Sequence, residues 1–126
     1  HYMRGQSKDG QKGATMRLGA YNCYLEKDTL AAKIYGVEQI SERHRHRLEV
    51  NNQFVPALTK AGMVISGNNR ELGLVEMIEL SSRAFSHPFF IACQFHPEFK
   101  SRPYAPHPIF AKFIEMAKGD TGGANK

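Results

Sequence analysis

The sequence predicts an α/β domain with a central, mostly parallel sheet, and three observations lead there. The run Phe89-Phe90-Ile91-Ala92-Cys93-Gln94-Phe95 is almost wholly apolar and is bounded by Pro88 and Pro97. That is the pattern of a strand buried on both faces in the middle of a parallel sheet. Extended segments alternate with short helical ones that carry caps such as Asp28 and Gly36. The chain has 126 residues, 41% hydrophobic and 23% charged, which is enough for one core and short for a complete doubly wound enzyme.

Taken in order, residues 1–12 are polar and Gly-rich without apolar periodicity, and read as a flexible segment or an expression remnant. An extended stretch from Gly13 reaches Leu25, with Met16, Leu18 and Ala20 on one face. Asp28 is a candidate N-cap for a short helix over residues 29–35, and Gly36 closes it. Residues 40–52 read as a strand followed by Asn51 or Asn52 capping a second helix, with Phe54, Leu58 and Ala61 inward and Gly62 at its end. Pro56 falls in or near the first turn, where it is tolerated. Residues 63–66 and 74–80 form a hairpin around Gly67-Asn68-Asn69. Residues 81–88 are a loop that includes the turn Ser86-His87-Pro88. After Phe99, Pro103, Pro106 and Pro108 deliver a last helix over residues 109–118, with Ile109, Phe113, Met116 and Ala117 on its apolar face. Gly119 ends it, and residues 119–126 are expected to be a disordered tail.

No apolar stretch approaches the roughly 18 residues of a membrane span, and no secretory leader is expected. Cys23 and Cys93 sit in or beside strand-like segments, which fits packed, reduced thiols and a cytoplasmic location better than a disulfide framework. Neither occupies the exposed turn or helix start that a nucleophilic thiol needs. The formal net charge of +5 invites a nucleic-acid reading, although anionic small molecules select the same charge.

Two stretches carry candidate chemistry. At the end of the apolar run, Pro97 stiffens the exit, so His96 and Glu98 leave the sheet on a rigid turn. A carboxylate beside a histidine fixes its tautomer and suits it to be a general base, the second and third parts of a nucleophile, base and orienter set. The simpler alternative is a strand terminator. The second stretch is Glu42-Arg43-His44-Arg45-His46-Arg47-Leu48-Glu49-Val50-Asn51. Extended, it places Arg43, Arg45 and Arg47 on one side and His44, His46 and Leu48 on the other. Three guanidinium forks on one side make an edge that grips carboxylates or phosphates, or else a solvated basic strand. His44 and His46 alone do not specify a metal site. A nucleic-acid binder would want interleaved aromatics, and this stretch has none.

Together these segments closely resemble the C-terminal half of the glutamine amidotransferase domain of the CTP synthase family. The carrying residues are Gly13-Ala14-Thr15-Met16-Arg17-Leu18-Gly19, the Glu42 to Asn51 stretch, and Gln94-Phe95-His96-Pro97-Glu98-Phe99. The likeness covers residues 13–118. The last motif is shared by class I amidotransferases generally, GMP synthetase-like ones included, whereas the arginine-histidine stretch is distinctive of CTP synthases.

The resemblance implies part of a flavodoxin-like class I amidotransferase sandwich, incomplete at its N-terminal half. It implies a Cys-His-Glu triad in which His96 is the base, Glu98 the orienter and Arg47 the binder of the glutamine carboxylate. The nucleophilic cysteine would come from an N-terminal part upstream of these motifs, so the chain alone is expected to be inactive. No cofactor is implied on this chain. A separate synthetase domain, using ATP and Mg2+, would take the ammonia to aminate UTP to CTP, in a homo-oligomeric enzyme without nucleic-acid or membrane partners. Two departures stand out. Ala14 replaces a glycine and asks for negative φ, and Leu48 replaces an aromatic, which predicts looser packing behind Arg47.

Overall fold

The computed structural model describes residues 16–81 and 86–119. The expected leading segment, the Gly13-Ala14-Thr15 part of the first motif and the tail beyond Gly119 lie outside these residues. Five strands, β1 (Arg17–Leu25), β2 (Gln39–His46), β3 (Met63–Asn69), β4 (Leu74–Leu80) and β5 (Ile91–Cys93), alternate with helices α1 (Leu30–Tyr35), α2 (Val55–Lys60) and α3 (Pro108–Ala117). The strands form one sheet in the order β2-β1-β3-β4-β5.

The α/β class is as the sequence predicts, but every pairing among the described strands is antiparallel. The reason is local. β3 and β4 are joined by a four-residue turn, which forces them to run in opposite directions, whereas parallel neighbours need a longer crossover. The stretch expected as a central buried strand shrinks to the three half-buried residues of β5 at the sheet edge, and Phe90 before it is 37% exposed.

The curl of the sheet positions the rest. The chain leaving β5 keeps to β4 for one more residue, Gln94 N donating to Glu76 O at 2.9 Å, and then crosses to the opposite edge strand. There His96 N donates to Arg43 O at 2.8 Å and Lys100 Nζ donates to Ser41 O at 2.7 Å. The β1–β3 ladder is confined to Tyr24 and Leu25, so the two strands part toward the start of β1. Cys23, Leu25, Ile40, Met77 and Phe95 join Ala31 of α1 and Ile109 of α3 in the core.

Several local expectations shift. Thr29, rather than Asp28, caps α1 by accepting from Ala32 N at 3.1 Å, while Asp28 takes a left-handed turn at φ 64°. Glu79 of β4 completes that helix start, its carboxylate accepting from Leu30 N and Ala31 N at 2.9 and 3.1 Å. Gly36 closes α1 at φ 67°, as expected. In β1 the buried residues are Arg17, Cys23 and Leu25, so Leu18 and Ala20 face outward, contrary to the apolar face expected. The cause is that Arg17, a charged residue, is held inside by buried carboxylates.

Asn51 is the cap after β2, accepting from Gln53 N at 3.1 Å. α2 is short and leans on the sheet through Val55 and Leu58, leaving Phe54 and Ala61 exposed. The β3–β4 turn is Arg70 to Gly73 and not Gly67 to Asn69, because Asn69 accepts from Leu72 N at 2.8 Å and Gly73 supplies φ 65°. On α3 only Ile109 is buried, while Phe113 and Ile114 are more than half exposed. No helix among the described residues is long and apolar enough to cross a membrane.

Candidate functional site

His96 ends the extended run at φ −107°, and Pro97 opens the 3-10 turn Pro97–Phe99. The turn is closed by Phe99 N donating to His96 O and Lys100 N to Pro97 O, both at 3.1 Å. It swings Glu98 back so that its Oε1 lies 2.7 Å from His96 Nδ1. A carboxylate accepts, so Nδ1 is the donor, and in the neutral ring the lone pair falls on Nε2. The imidazole also stacks on Phe99, with centroids 5.1 Å apart and planes 19° from parallel, which fixes the ring's remaining rotation. The hydrogen bond from His96 holds the Glu98 carboxyl below the usual carboxylate range. Both side chains are solvent-accessible, at 37% and 56%. The arrangement is a tautomer-fixed, accessible base, which can take a proton from a nucleophile and return it to a leaving group.

The arginine face divides. Arg43 and Arg45 point outward from β2 and are exposed. Arg47 lies just beyond the strand, half-buried, with Nη2 directed at the Met16 sulfur at 4.0 Å. Among the described residues no contact joins Arg47 to His96 or Glu98. Leu48, beside Arg47, is 58% exposed.

The inward face of β2 carries what sequence reasoning missed. His44 is buried, with Nδ1 3.0 Å from Glu42 O and Nε2 2.7 Å from Glu76 Oε2. Both ring nitrogens thus face acceptors. Glu76 also bonds Arg17, whose guanidinium lies 3.5 Å from Glu49 and sits 4.3 Å over the Tyr21 ring. The buried Arg17 guanidinium and His44 ring therefore share two buried carboxylates, Glu76 and Glu49. His46 donates from Nδ1 to Leu48 O at 3.0 Å, and burial, then the like charge of His44, lowers its pKa. Burial raises that of Glu49, against the pull of Arg17. A second cluster joins Glu42 to His107 at 2.9 Å and to Tyr35 at 3.2 Å, and burial pushes the Tyr35 phenol up. The available signals were Glu76 and Glu79 interrupting an apolar strand, and a third His-Pro pair at His107.

Both thiols are poor nucleophiles, since burial, followed by nearby glutamates, pushes Cys23 and Cys93 up to about 12. No group of three or more His, Cys, Asp and Glu side chains that could hold a metal converges among the described residues.

Residues 3–116 match the family model for glutamine amidotransferase class-I. The chain is 52% identical over 117 residues to a CTP synthase of Pelobacter propionicus, 93% of this chain and 21% of that protein. It is 54% identical over 116 residues to one of Methanosphaera stadtmanae, 92% and 21% respectively. It thus spans about a fifth of the length of these curated relatives. Among solved structures, the glutaminase domain of Trypanosoma brucei CTPS with bound acivicin superposes with a TM-score of 0.73 at 41% identity, covering 87% of this chain and 43% of that one. The fold, the family motif and these likenesses converge, and the chain belongs to the class I glutamine amidotransferases.

Proposed function

We propose that this chain is the part of a CTP synthase glutaminase domain that supplies the base, its orienter and the glutamine anchor. The observation that carries the reading is the His96–Glu98 pair at 2.7 Å on an accessible turn, with Nδ1 turned to the carboxylate. A cysteine on the N-terminal part of the domain attacks the side-chain amide carbon of glutamine after His96 takes the thiol proton. His96 then protonates the departing nitrogen, the C–N bond breaks and ammonia leaves. Water hydrolyses the thioester, again with His96 as base, releasing glutamate and the thiol. Glu98 holds the Nδ1–H tautomer throughout, as acidic partners do in other triads. Arg47 grips the α-carboxylate as a planar two-donor fork.

The ammonia serves a synthetase domain that activates UTP with ATP and aminates it to CTP. In this reading ATP and Mg2+ belong to that domain. The assembly is a cytoplasmic homo-oligomer engaging neither nucleic acid nor membrane. The relatives favour this reading over a GMP synthetase-like one, with which the His96 motif alone would be equally compatible.

The test is glutamate release from glutamine by the 126-residue chain alone and after addition of the cysteine-bearing part of the domain. The chain alone is expected to be inactive and the reconstituted site active, with His96→Ala abolishing turnover and Arg47→Lys raising KM by about tenfold or more. Turnover by the chain alone with a triad-like pH profile would sink the split-site reading. Failure of the reconstituted site to turn over would sink the function.

A further inference from the structure

The segment from His96 to His107 departs from one edge of the sheet and is fastened to the other at three consecutive residues of β2, with a further contact from His107 Nε2 to Tyr35 Oη of α1 at 3.3 Å. His96 N donates to Arg43 O at 2.8 Å, and Lys100 Nζ donates to Ser41 O at 2.7 Å. Between these lies Glu42, whose side chain is 3% exposed. Its Oε1 accepts from His107 Nε2 at 2.9 Å and from Tyr35 Oη at 3.2 Å. Its Oε2 has Lys100 Nζ at 3.9 Å and no hydrogen-bond donor among the described residues. His107 is locked in turn. Its Nδ1 accepts from Ile109 N at 3.3 Å to cap α3, so its proton sits on Nε2 and points at Glu42. His107 N also donates to Ser101 Oγ at 3.1 Å, closing the segment on itself.

A desolvated carboxylate demands cationic and donor partners, and removing one leaves it costly. A well-packed apolar residue at 42 would serve stability as well or better, as replacements of buried ion pairs show. What the charge adds is register. The placement that brings Lys100 and His107 to Glu42 together is also the one that lays the Pro97–Phe99 turn against β2. We propose that Glu42 is a positioning residue for His96, holding its turn against β2 through Lys100 and His107 so that Nε2 meets the reacting atoms in one fixed pose. This rests on the reading of His96 as the glutaminase base. It separates Glu42 from Arg47, which stands beyond the other end of the strand.

The experiment measures kcat and KM for glutamine in the reconstituted domain bearing Glu42→Gln, Lys100→Met or Lys100→Arg. Misplacing a reacting group by about 1 Å costs on the order of 100-fold in rate. Glu42→Gln is therefore expected to lower kcat by about tenfold or more, with KM within about twofold. Lys100→Met lowers kcat by about threefold, and Lys100→Arg, which keeps the cation and the donor, returns it to the wild-type value. Lys100 is 47% exposed in its side chain, so its replacement leaves the fold intact and decides the matter if Glu42→Gln does not fold. The proposal is overturned if kcat stays within twofold in every variant that folds, or if KM rises in step with the fall in kcat. A wild-type assembly that does not hydrolyse glutamine overturns the function and not this role.

Discussion

Gly67→Ala tests how tightly the core behind the site is built. Gly67 lies in β3 opposite Leu25 of β1 and Met77 of β4, at a shift in the ladder register. Its φ is not in the left-handed region, so the backbone accepts alanine and the cost is steric alone. A Cβ there would stand 2.6 Å from Cys23 Sγ and 3.1 Å from Met77 Cβ and Cγ. Non-bonded carbons rest at about 3.5–4.0 Å, so the sulfur has to retreat by about 1 Å. Cys23 is fully buried and Met77 is 1% exposed, which leaves neither anywhere to go. Overpacking of this kind costs about 1–3 kcal/mol, and the absence of an escape route places it at about 2–3. At this chain length each kcal/mol lowers Tm by about 4 °C, so a fall of about 8–12 °C is expected. Urea unfolding followed by circular dichroism, run as a double-mutant cycle with Cys23→Ala, isolates the clash. Removing the sulfur is expected to recover about 1–2 kcal/mol of the Gly67→Ala loss. Additive effects of the two substitutions, or a Gly67→Ala loss below about 0.5 kcal/mol, would refute the reasoning.

Glu76→Gln leaves the buried Arg17 with Glu49 as its remaining carboxylate partner and takes the acceptor charge from His44, so about 3 kcal/mol of stability is expected to be lost. A shift in the urea midpoint worth less than about 1 kcal/mol would show that the network relaxes around the change. Below pH 7 stability is expected to fall through His46. Its folded pKa lies below the unfolded value of about 6.5, so its contribution is complete above that value and is lost as pH drops toward the folded one. His46→Gln should flatten that slope between pH 7.5 and 5.5, and the difference from wild type removes Glu49, whose raised carboxyl acts with the opposite sign. An unchanged slope would assign the acid sensitivity elsewhere. Iodoacetamide at pH 8 should label Cys23 and Cys93 about a thousandfold more slowly in the folded chain than in urea, since both thiols are pushed up to about 12. Rapid labelling of either in the native state, read by mass, would contradict their burial.

What the sequence made legible was what neighbouring residues decide among themselves. The Gly36 cap, the alternation of β2 and the meeting of His96 with Glu98 across Pro97 all lie within a few residues of chain. The illegible features depend on residues brought together by the curl of the sheet. Arg17 meets Glu76 from 59 positions away and Glu42 meets His107 from 65. Without those partners the hydrophobic pattern of β1 points Leu18 inward, where the structure places Arg17. Gly67 looks like a turn residue in sequence, yet its lack of a Cβ admits Cys23 Sγ, and the turn forms later, at Gly73. The expected parallel sheet failed for the same reason. Apolar content alone does not reveal which strands become neighbours.

The arginine-histidine stretch is more informative on the face that sequence reasoning set aside. Its arginines face solvent or lie past the strand end, while Glu42, His44 and His46 each point inward to a different anchor. Glu42 fastens the segment that carries His96 and Glu98. His44 joins β2 to β4 through Glu76, the residue that also holds Arg17. His46 bonds Leu48 O, bracing the bend in which Arg47 stands. Side chains two apart on a strand sit roughly 6–7 Å apart on one face, so these three contacts tie the His96 turn, β4 and the bend at Arg47 to successive inward positions of β2. Apolar residues at the same positions would bury comparable surface without choosing a register. The charged inward face thus ties β2 to β4 and to the segment after β5, so that the chain elements around His96 and Glu98 hold one register.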